Sequence, residues 1–368
     1  MKIVADDKIP FLKGVFEPFA EVVYLKGAAI TPADVADADA LVVRTRTRCD
    51  AALLGGSSVK FVATATIGYD HIDAEALAKL GIAWRSAPGC NAASVAQYLA
   101  AVLTGFGVPL AGRTLGVVGV GNVGKLAVKV GEALGMRVLL NDPPRAEAEG
   151  QGAFVTLADI AREADFVTLH VPKVAGGKHP TVKLLGEKFF ASAKAGLCLV
   201  NAARGEAVDG AAFKAAIRSG KVAHAAVDVW ENEPEIDREL LELCDFGTPH
   251  IAGYSTDGKA NGTTAAVRAV AGFFGIGELK SFRAVPPPPA NETLLAADEK
   301  APVERELHRL VCHTFDLHEA DADLRADPSA FEKLRGSAPL RREPFAYRVA
   351  GGSAELRRKA AALGFELV

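Results

Sequence analysis

The chain has 368 residues, of which 49% are hydrophobic and 24% charged, and its formal net charge is −3. This length predicts two or three domains with an ample core, and the small charge gives no reason to expect nucleic acid or an anionic membrane as a partner. No apolar run is long enough to span a bilayer. The five cysteines include no C-x-x-C pair, so we expect no disulfide framework, no metal site and a cytoplasmic location.

The first ninety residues alternate short β-rich runs with helical patterns such as Ala74–Leu80, which predicts a parallel α/β domain. The predicted strands are Lys2–Ala5, Val22–Leu25, Leu41–Arg44, Phe61–Ala63 and Ile82–Arg85. Two of them end in side chains suited to binding a ligand. Arg44 and Thr45 follow one strand, where a guanidinium and a hydroxyl can hold a carboxylate or phosphate, and Thr66 follows the next. The alternative interpretation of the segment with Arg44 and Thr45 is a solvated basic loop.

Residues 114–142 predict a nucleotide-binding unit of strand, tight turn, helix and strand. Gly119 permits the turn, Gly121 lets the backbone approach a pyrophosphate, and Gly124 allows close packing of the helix on the strand. The helix N-terminus then offers free N–H groups to the phosphates. Asp142, at the end of the second strand, is placed to accept hydrogen bonds from ribose hydroxyls, so we expect NAD rather than NADP.

A long helix, Ala92–Gly107, precedes this unit, and the alternation of strands and helices continues after it. The further predicted strands are Phe166–His170, Leu197–Asn201, Ala225–Val229 and Phe246–Gly247, which gives about six in all. A helical pattern over Gly253–Phe274 follows. The run of prolines at 286–289 predicts a stiff linker, and the last eighty residues predict a small α+β domain with helices Val303–His313 and Ala354–Leu363 and a strand Tyr347–Val349.

Three ionisable residues, Arg204, Glu233 and His250, each follow a predicted strand of the nucleotide-binding domain. Because the carboxyl ends of parallel strands meet at one edge of a sheet, we expect them to converge. Histidine has a pKa suited to taking a hydroxyl proton, a carboxylate orients the imidazole, and a guanidinium grips a substrate carboxylate. Other histidines are rival candidates, namely His71, His170 and His224; the last two lie inside predicted strands, as wall or core residues do.

These motifs together resemble the D-isomer-specific 2-hydroxyacid dehydrogenases. The matching elements are the glycine motif with Asp142, then NAARGEAVD around Arg204, VDVWENEP around Glu233, and PHIAG around His250. The resemblance implies that Arg204 binds the substrate carboxylate, that His250 is the acid and base, and that Glu233 pairs with it. It also implies an NAD-dependent, usually dimeric enzyme of two doubly wound α/β domains, one flavodoxin-like and one a Rossmann domain.

The resemblance extends over nearly the whole chain through finer features, including VRTRT, TATIGYDHID, APGCNA and the segment FEKLRGSAPLRRE. These imply a member acting on a small phosphorylated hydroxy acid, with residues 1–92 and 254–282 as substrate domain, 93–253 as NAD domain and 283–368 as a dimerisation domain. Thr45, Thr66 and Tyr254 would then contact substrate, with Arg44 near its phosphate. The implied NAD contacts beyond the glycines and Asp142 are Asn122, Val123, Val171, Ala202, Ala203, Asp228 and Gly253.

Three alternatives remain open at this point. A dehydrogenase for another D-2-hydroxy acid, such as 3-phosphoglycerate, has the same core motifs. A non-catalytic NAD-sensing corepressor has the same fold, although the complete set of Arg204, Glu233 and His250 argues against it. The C-terminal segment is either a dimerisation domain or a regulatory ligand-binding module. Val171 stands where a threonine is common in such enzymes, which removes one hydrogen bond to NAD.

Overall fold

The computed structural model describes residues 1–338 and 341–368. The chain forms two compact units: Met1–Asn91 with Ser255–Pro287, and Ala92–Tyr254 with Pro288–Val368. Residues 288–368 therefore group with the nucleotide-binding residues, whereas the sequence predicted a separate third domain from residue 283. The reason is that apolar side chains of this segment, such as Leu307 and Leu356, share one buried core with those of the nucleotide-binding part.

The first unit is built on a five-stranded parallel sheet in the order β2-β1-β3-β4-β5. This is the flavodoxin-like order of a doubly wound sheet, as predicted. Its strands are β1 Lys2–Asp6, β2 Glu21–Leu25, β3 Ala40–Val43, β4 Phe61–Thr64 and β5 Ala83–Arg85. Its helices are α1 Pro32–Val35, α2 Ala51–Leu54, α3 Ala74–Lys79 and, from after the nucleotide-binding part, α11 Thr256–Phe274. All four residues of β3 and of β4 are buried, as expected for central strands covered on both faces.

The second unit contains a six-stranded parallel sheet in the order β11-β10-β9-β8-β6-β7. Its strands are β6 Thr114–Val118, β7 Arg137–Asn141, β8 Phe166–Leu169, β9 Leu197–Asn201, β10 Val222–Val227 and β11 Phe246–Gly247. The chain passes from β6 to β7 on one side and then returns to β8 on the other side of β6. The sheet thus reverses its winding beside β6, which is where open α/β sheets bind ligands.

Helix α4 leads into this sheet, and six further helices connect its strands. They are α4 Ala92–Gly105, α5 Asn122–Ala133, α6 Pro143–Glu149, α7 Leu157–Glu163, α8 Glu187–Ser192, α9 Gly210–Arg218 and α10 Arg238–Leu243. Helix α4 ends two residues before the predicted Gly107. Most of its side chains are buried, because α5 packs on it and the C-terminal segment also covers it.

The C-terminal segment is a small α+β structure with a parallel sheet in the order β12-β13-β14. Its elements are β12 Leu294–Ala297, α12 Val303–Thr314, α13 Leu317–Ala326, α14 Phe331–Ser337, β13 Arg348–Gly351, α15 Ala354–Ala362 and β14 Glu366–Leu367. Polar side chains bind it to α4: the Gln97 amide donates to the hydroxyl of Thr314 at 2.7 Å, and Ser94 donates to Glu343 at 3.0 Å. Because these groups are buried, leaving one unpaired would be unfavourable.

No helix in the described part of the chain is both long and apolar enough to pass through a bilayer. None of the five cysteines, all of which the structure describes, forms a disulfide.

Candidate active site

The three glycines after β6 have distinct structural roles. Gly119 turns the chain with a φ of +85°, and a side-chain carbon there would lie 2.8 Å from the carbonyl oxygen of His170. A side-chain carbon on Gly124 would lie only 2.0 Å from the carbonyl oxygen of Gly119, so α5 packs too closely for any other residue. Gly121 has open space around it and is the N-cap of α5. This loop therefore leaves its backbone accessible at a helix N-terminus, as a pyrophosphate site requires.

Asp142 lies at the end of β7 and its carboxylate is fixed beside the glycine loop. One oxygen accepts a hydrogen bond from the backbone N–H of Val120 at 2.8 Å. The other oxygen accepts one from the backbone N–H of Arg145 at 3.1 Å, so Asp142 caps the N-terminus of α6. The guanidinium of Arg145 is bound to Glu149 and to the carbonyl oxygen of Val120. The loop, helix and carboxylate therefore fit an NAD molecule, with Asp142 offering its remaining lone pairs to ribose hydroxyls.

His250 and Glu233 form a hydrogen-bonded pair on the loops that follow β11 and β10. The distance between His250 Nδ1 and Glu233 Oε2 is 2.7 Å, and Glu233 Oε1 accepts from the backbone N–H of Trp230 at 2.9 Å. Burial opposes ionisation of Glu233, yet the hydrogen bond and charge of His250, with the Trp230 N–H and Arg335, hold its pKa below the ordinary value. An ionised carboxylate fixes the proton on Nδ1, which leaves Nε2 with a lone pair that can accept a proton.

The backbone of His250 is held in a left-handed conformation, with a φ of +56°. Such a conformation is uncommon for histidine and persists where the surroundings fix it. Asp228 provides that constraint: its buried carboxylate accepts hydrogen bonds from the Thr248 hydroxyl at 2.7 Å and from the backbone N–H groups of Ile251 and Ala252 at 2.7 and 2.9 Å. Burial, the largest influence, raises the pKa of Asp228. The family resemblance implied an NAD contact for Asp228, which stays a prediction; its observed partners position the His250 loop.

Arg204 lies on the loop after β9, and this loop contacts the one that carries Glu233. A side-chain carbon on Gly205 would lie 2.1 Å from the backbone carbon of Trp230, so the two loops pack backbone against backbone. Asn201 closes the Arg204 loop by donating to the carbonyl oxygen of Arg204 at 3.0 Å. The loops of Arg204, Glu233 and His250 thus join at the carboxyl edge of one sheet, beside the predicted NAD loop on the same sheet.

Arg335, which sequence reasoning missed, lies beside this pair. It is on α14 of the C-terminal segment, with its Nη1 atom 4.0 Å from Glu233 Oε2 and its guanidinium 5.8 Å from the centre of the Tyr254 ring. Its side chain is 14% exposed, and its Nε atom is buried without a hydrogen-bond partner among the described residues. A buried guanidinium nitrogen of this kind requires a partner, which a water molecule or an anion can supply. The same guanidinium also lies 4.0 Å from Glu332. The only signal in the sequence was the motif FEKLRG, which no local pattern connects to Glu233.

The predicted substrate residues of the first unit lie at the carboxyl ends of neighbouring strands. Arg44 follows β3 and its Nε is 3.2 Å from Asp6 Oδ2, and Thr45 next to it is exposed. Thr66 follows β4 and donates from its hydroxyl to the carbonyl oxygen of Gly68 at 2.9 Å. Their contact with substrate stays a prediction.

The other histidines do not have the environment of His250. Burial lowers the pKa of His71 to about 4 and that of His170 to about 3. These rings bond to Thr64 and Thr168 respectively. His224 pairs with Asp245 at 3.0 Å, and its ring packs on Phe106. Val171, one of the predicted NAD contacts, lies against the Gly119 turn.

Comparisons with known proteins agree with this geometry. Residues 92–252 match the family described as D-isomer specific 2-hydroxyacid dehydrogenase, NAD binding domain. An erythronate-4-phosphate dehydrogenase of Bacteroides fragilis is 46% identical over 341 residues, which cover 91% of this chain and 95% of that protein. The chain belongs to the erythronate-4-phosphate dehydrogenase family. Relatives of the same name from Pseudomonas putida and Escherichia coli are 42% and 41% identical, again over 91% of this chain.

Solved structures of other dehydrogenases share the fold of this family member. A D-lactate dehydrogenase of Aquifex aeolicus in complex with NAD and lactic acid has a TM-score of 0.63 and 25% identity, covering 78% of this chain and 100% of its own. An NAD⁺-bound 3-phosphoglycerate dehydrogenase of Entamoeba histolytica has a TM-score of 0.65 and 26% identity, covering 77% and 98%. These structures leave about a quarter of the present chain unmatched, whereas the erythronate-4-phosphate dehydrogenases match 91% of it. The family match and these NAD-bound structures together show that the chain is an NAD-dependent dehydrogenase.

Proposed function

We propose that this protein oxidises 4-phospho-D-erythronate at C2 to (R)-3-hydroxy-2-oxo-4-phosphooxybutanoate, a step in pyridoxal 5′-phosphate biosynthesis. The observation that carries the proposal is the hydrogen-bonded pair of His250 and an ionised Glu233 on the sheet that bears the NAD loop. The 46% identity to an erythronate-4-phosphate dehydrogenase supports the choice of substrate. Cytoplasmic location is part of the proposal, and the free cysteines are consistent with a reducing compartment.

In this proposal His250, Glu233 and Arg204 each have a separate role in the reaction. His250 Nε2 takes the proton of the C2 hydroxyl, and the negative charge of Glu233 stabilises the imidazolium that forms. Arg204 binds the substrate carboxylate through charge-assisted hydrogen bonds and polarises the C2 oxygen. NAD, when bound, accepts the hydride from C2. The His250 proton then leaves to solvent, so that the products are the 2-oxo acid, NADH and one proton.

We also propose a homodimer formed through residues 283–368. Several large apolar side chains of this segment are exposed on the single chain, including Leu294, which is 43% exposed, and Phe345, which is 56% exposed. In this proposal a second subunit covers these side chains.

The direct test is NADH formation on adding 4-phospho-D-erythronate to purified protein with NAD, compared with 3-phosphoglycerate and D-lactate under the same conditions. We expect kcat/KM for 4-phospho-D-erythronate to exceed the others by at least about 100-fold, because a site that pairs a phosphate rejects analogues that leave its charges unpaired. D-Lactate has no phosphate, and 3-phosphoglycerate is one carbon shorter, so it cannot place its carboxylate and its phosphate on both binding groups at once. A higher kcat/KM for 3-phosphoglycerate would show that the protein is instead a dehydrogenase for that acid. An absence of turnover on all three, with NAD bound, would favour the non-catalytic alternative.

Arg335 is expected to contribute recognition of the substrate phosphate in this proposal. Arg335→Gln should lower kcat/KM for 4-phospho-D-erythronate by about 10- to 100-fold, the range for loss of a charge-assisted hydrogen bond. For unphosphorylated D-erythronate, the same substitution should lower kcat/KM by less than about threefold. Arg348→Gln removes a positive charge from an exposed position of the same segment and serves as the control. An equal loss with both substrates would mean that Arg335 only positions Glu233.

A further inference from the structure

Two histidines and one cysteine of the C-terminal segment meet where α12 and α13 join. His308 and Cys312 are one turn apart on α12, so their side chains share one face of the helix, and His318 comes from the first turn of α13. The ligand atoms of the three side chains lie within 4.8 Å of one another. The proposed dehydrogenase reaction uses none of them.

The distances in this His308–Cys312–His318 cluster match those between ligands of one tetrahedral ion. The two Nε2 atoms are 3.3 Å apart, and Cys312 Sγ is 3.5 Å from His308 Nε2. A zinc ion bound at about 2.0 Å from nitrogen and about 2.3 Å from sulfur separates two nitrogens by about 3.3 Å and nitrogen from sulfur by about 3.5 Å. Sγ is also 3.6 Å from His308 Nδ1, so the Cys312 side chain must rotate away from Nδ1 for Sγ and Nε2 to bind the same ion.

A hydrogen bond to α4 fixes the tautomer of His308. Its Nδ1 is 3.0 Å from the hydroxyl oxygen of Thr104, and that hydroxyl donates its own proton to the carbonyl oxygen of Ala100 at 2.8 Å. The Thr104 oxygen must therefore accept a hydrogen bond from Nδ1–H. This leaves Nε2 with a lone pair directed toward His318, and a hydrogen bond of this kind on the other ring nitrogen is typical of histidine metal ligands.

The surroundings of His318 also suit an ion. His318 is exposed, which gives an ion a path from solvent and leaves room for a water ligand. The aromatic ring of Phe246 packs edge-on against the His318 ring and limits its orientation.

We propose that His308, Cys312 and His318 bind one zinc ion or a divalent ion of similar preference, with water as the fourth ligand. Mixed imidazole and thiolate ligands favour zinc and its neighbours over magnesium or calcium. Binding releases the thiol proton to solvent and involves no change in oxidation state. The ion would link α12 to α13. The sequence predicted no metal site because its cysteines are scattered; the three ligands converge only through the turn between the two helices.

The test is titration of metal-free, full-length protein with Co²⁺, whose absorption reports ligand type. We expect one Co²⁺ per chain, visible bands of a four-coordinate ion, a near-ultraviolet charge-transfer band from thiolate, and displacement by Zn²⁺. Cys312→Ser should abolish the charge-transfer band. His318→Asn, at an exposed position that should not impair folding, should weaken Co²⁺ binding by at least about tenfold.

His313→Gln is the matched control, because His313 neighbours Cys312 on the same helix but bonds to the carbonyl oxygen of Glu292 outside the cluster. It should leave Co²⁺ binding unchanged. A wild-type protein without the charge-transfer band, or a His318→Asn variant that binds as tightly as wild type, would overturn the proposal. The two imidazoles would then form only an Nε2–H···Nε2 hydrogen bond.

Discussion

His250→Asn is expected to lower kcat for 4-phospho-D-erythronate by about 10²- to 10⁴-fold, the usual loss when a general base is removed. Asparagine is the suitable replacement because it tolerates the left-handed conformation that His250 adopts, with its φ of +56°. The loop should therefore keep its fold, and the dissociation constant for NAD should change by less than about twofold. Steady-state kinetics and NAD titration by calorimetry measure the two quantities separately.

His224→Asn is the control for this variant. His224 lies in the same unit and also pairs with a carboxylate, at 3.0 Å from Asp245, but it is on β10 and not on a loop after a strand. Its replacement should leave kcat within about twofold of wild type, since it takes no part in proton transfer. Near-normal turnover by His250→Asn would show that another group accepts the proton.

The second large effect is expected in the glycine loop, where two substitutions to alanine should affect different properties. One should weaken NAD binding, and the other should lower the stability of the fold. Gly121→Ala should fold, because there is open space around Gly121 and its φ of −75° is allowed for alanine. It should nevertheless raise the dissociation constant of NAD by more than about tenfold, or 1.4 kcal/mol, because the added methyl group occupies the approach of the pyrophosphate.

Gly124→Ala should instead destabilise the protein itself. The added carbon would lie 2.0 Å from the carbonyl oxygen of Gly119, so α5 must move away from the sheet. Overpacking of this kind lowers the free energy of unfolding by about 1–3 kcal/mol, whereas Gly121→Ala should lower it by less than about 1 kcal/mol. Urea unfolding and NAD titration of both variants separate the effects. Unchanged NAD affinity in Gly121→Ala would contradict the assignment of this loop as the pyrophosphate site.

The sequence alone determined the sheets and the edge at which the chemistry lies. Apolar runs such as Leu197–Asn201 became buried parallel strands because a strand covered on both faces needs apolar residues throughout. Parallel strands all end at one edge, so the sequence also predicted that the loops of Arg204, Glu233 and His250 would meet. The glycine motif could also be recognised from the sequence alone. It depends only on the backbone angle φ and on the free space around a few consecutive residues.

Contacts between residues far apart in the chain were decided only by the tertiary structure. Arg335 reaches Glu233 through packing of the C-terminal segment on the nucleotide-binding part. The sequence likewise gave no sign that Asp228 holds the His250 loop through backbone N–H groups. Periodicity and spacing report which face of an element is buried, but not which distant element covers it. That choice depends on how whole surfaces fit together, and no short stretch of sequence contains it.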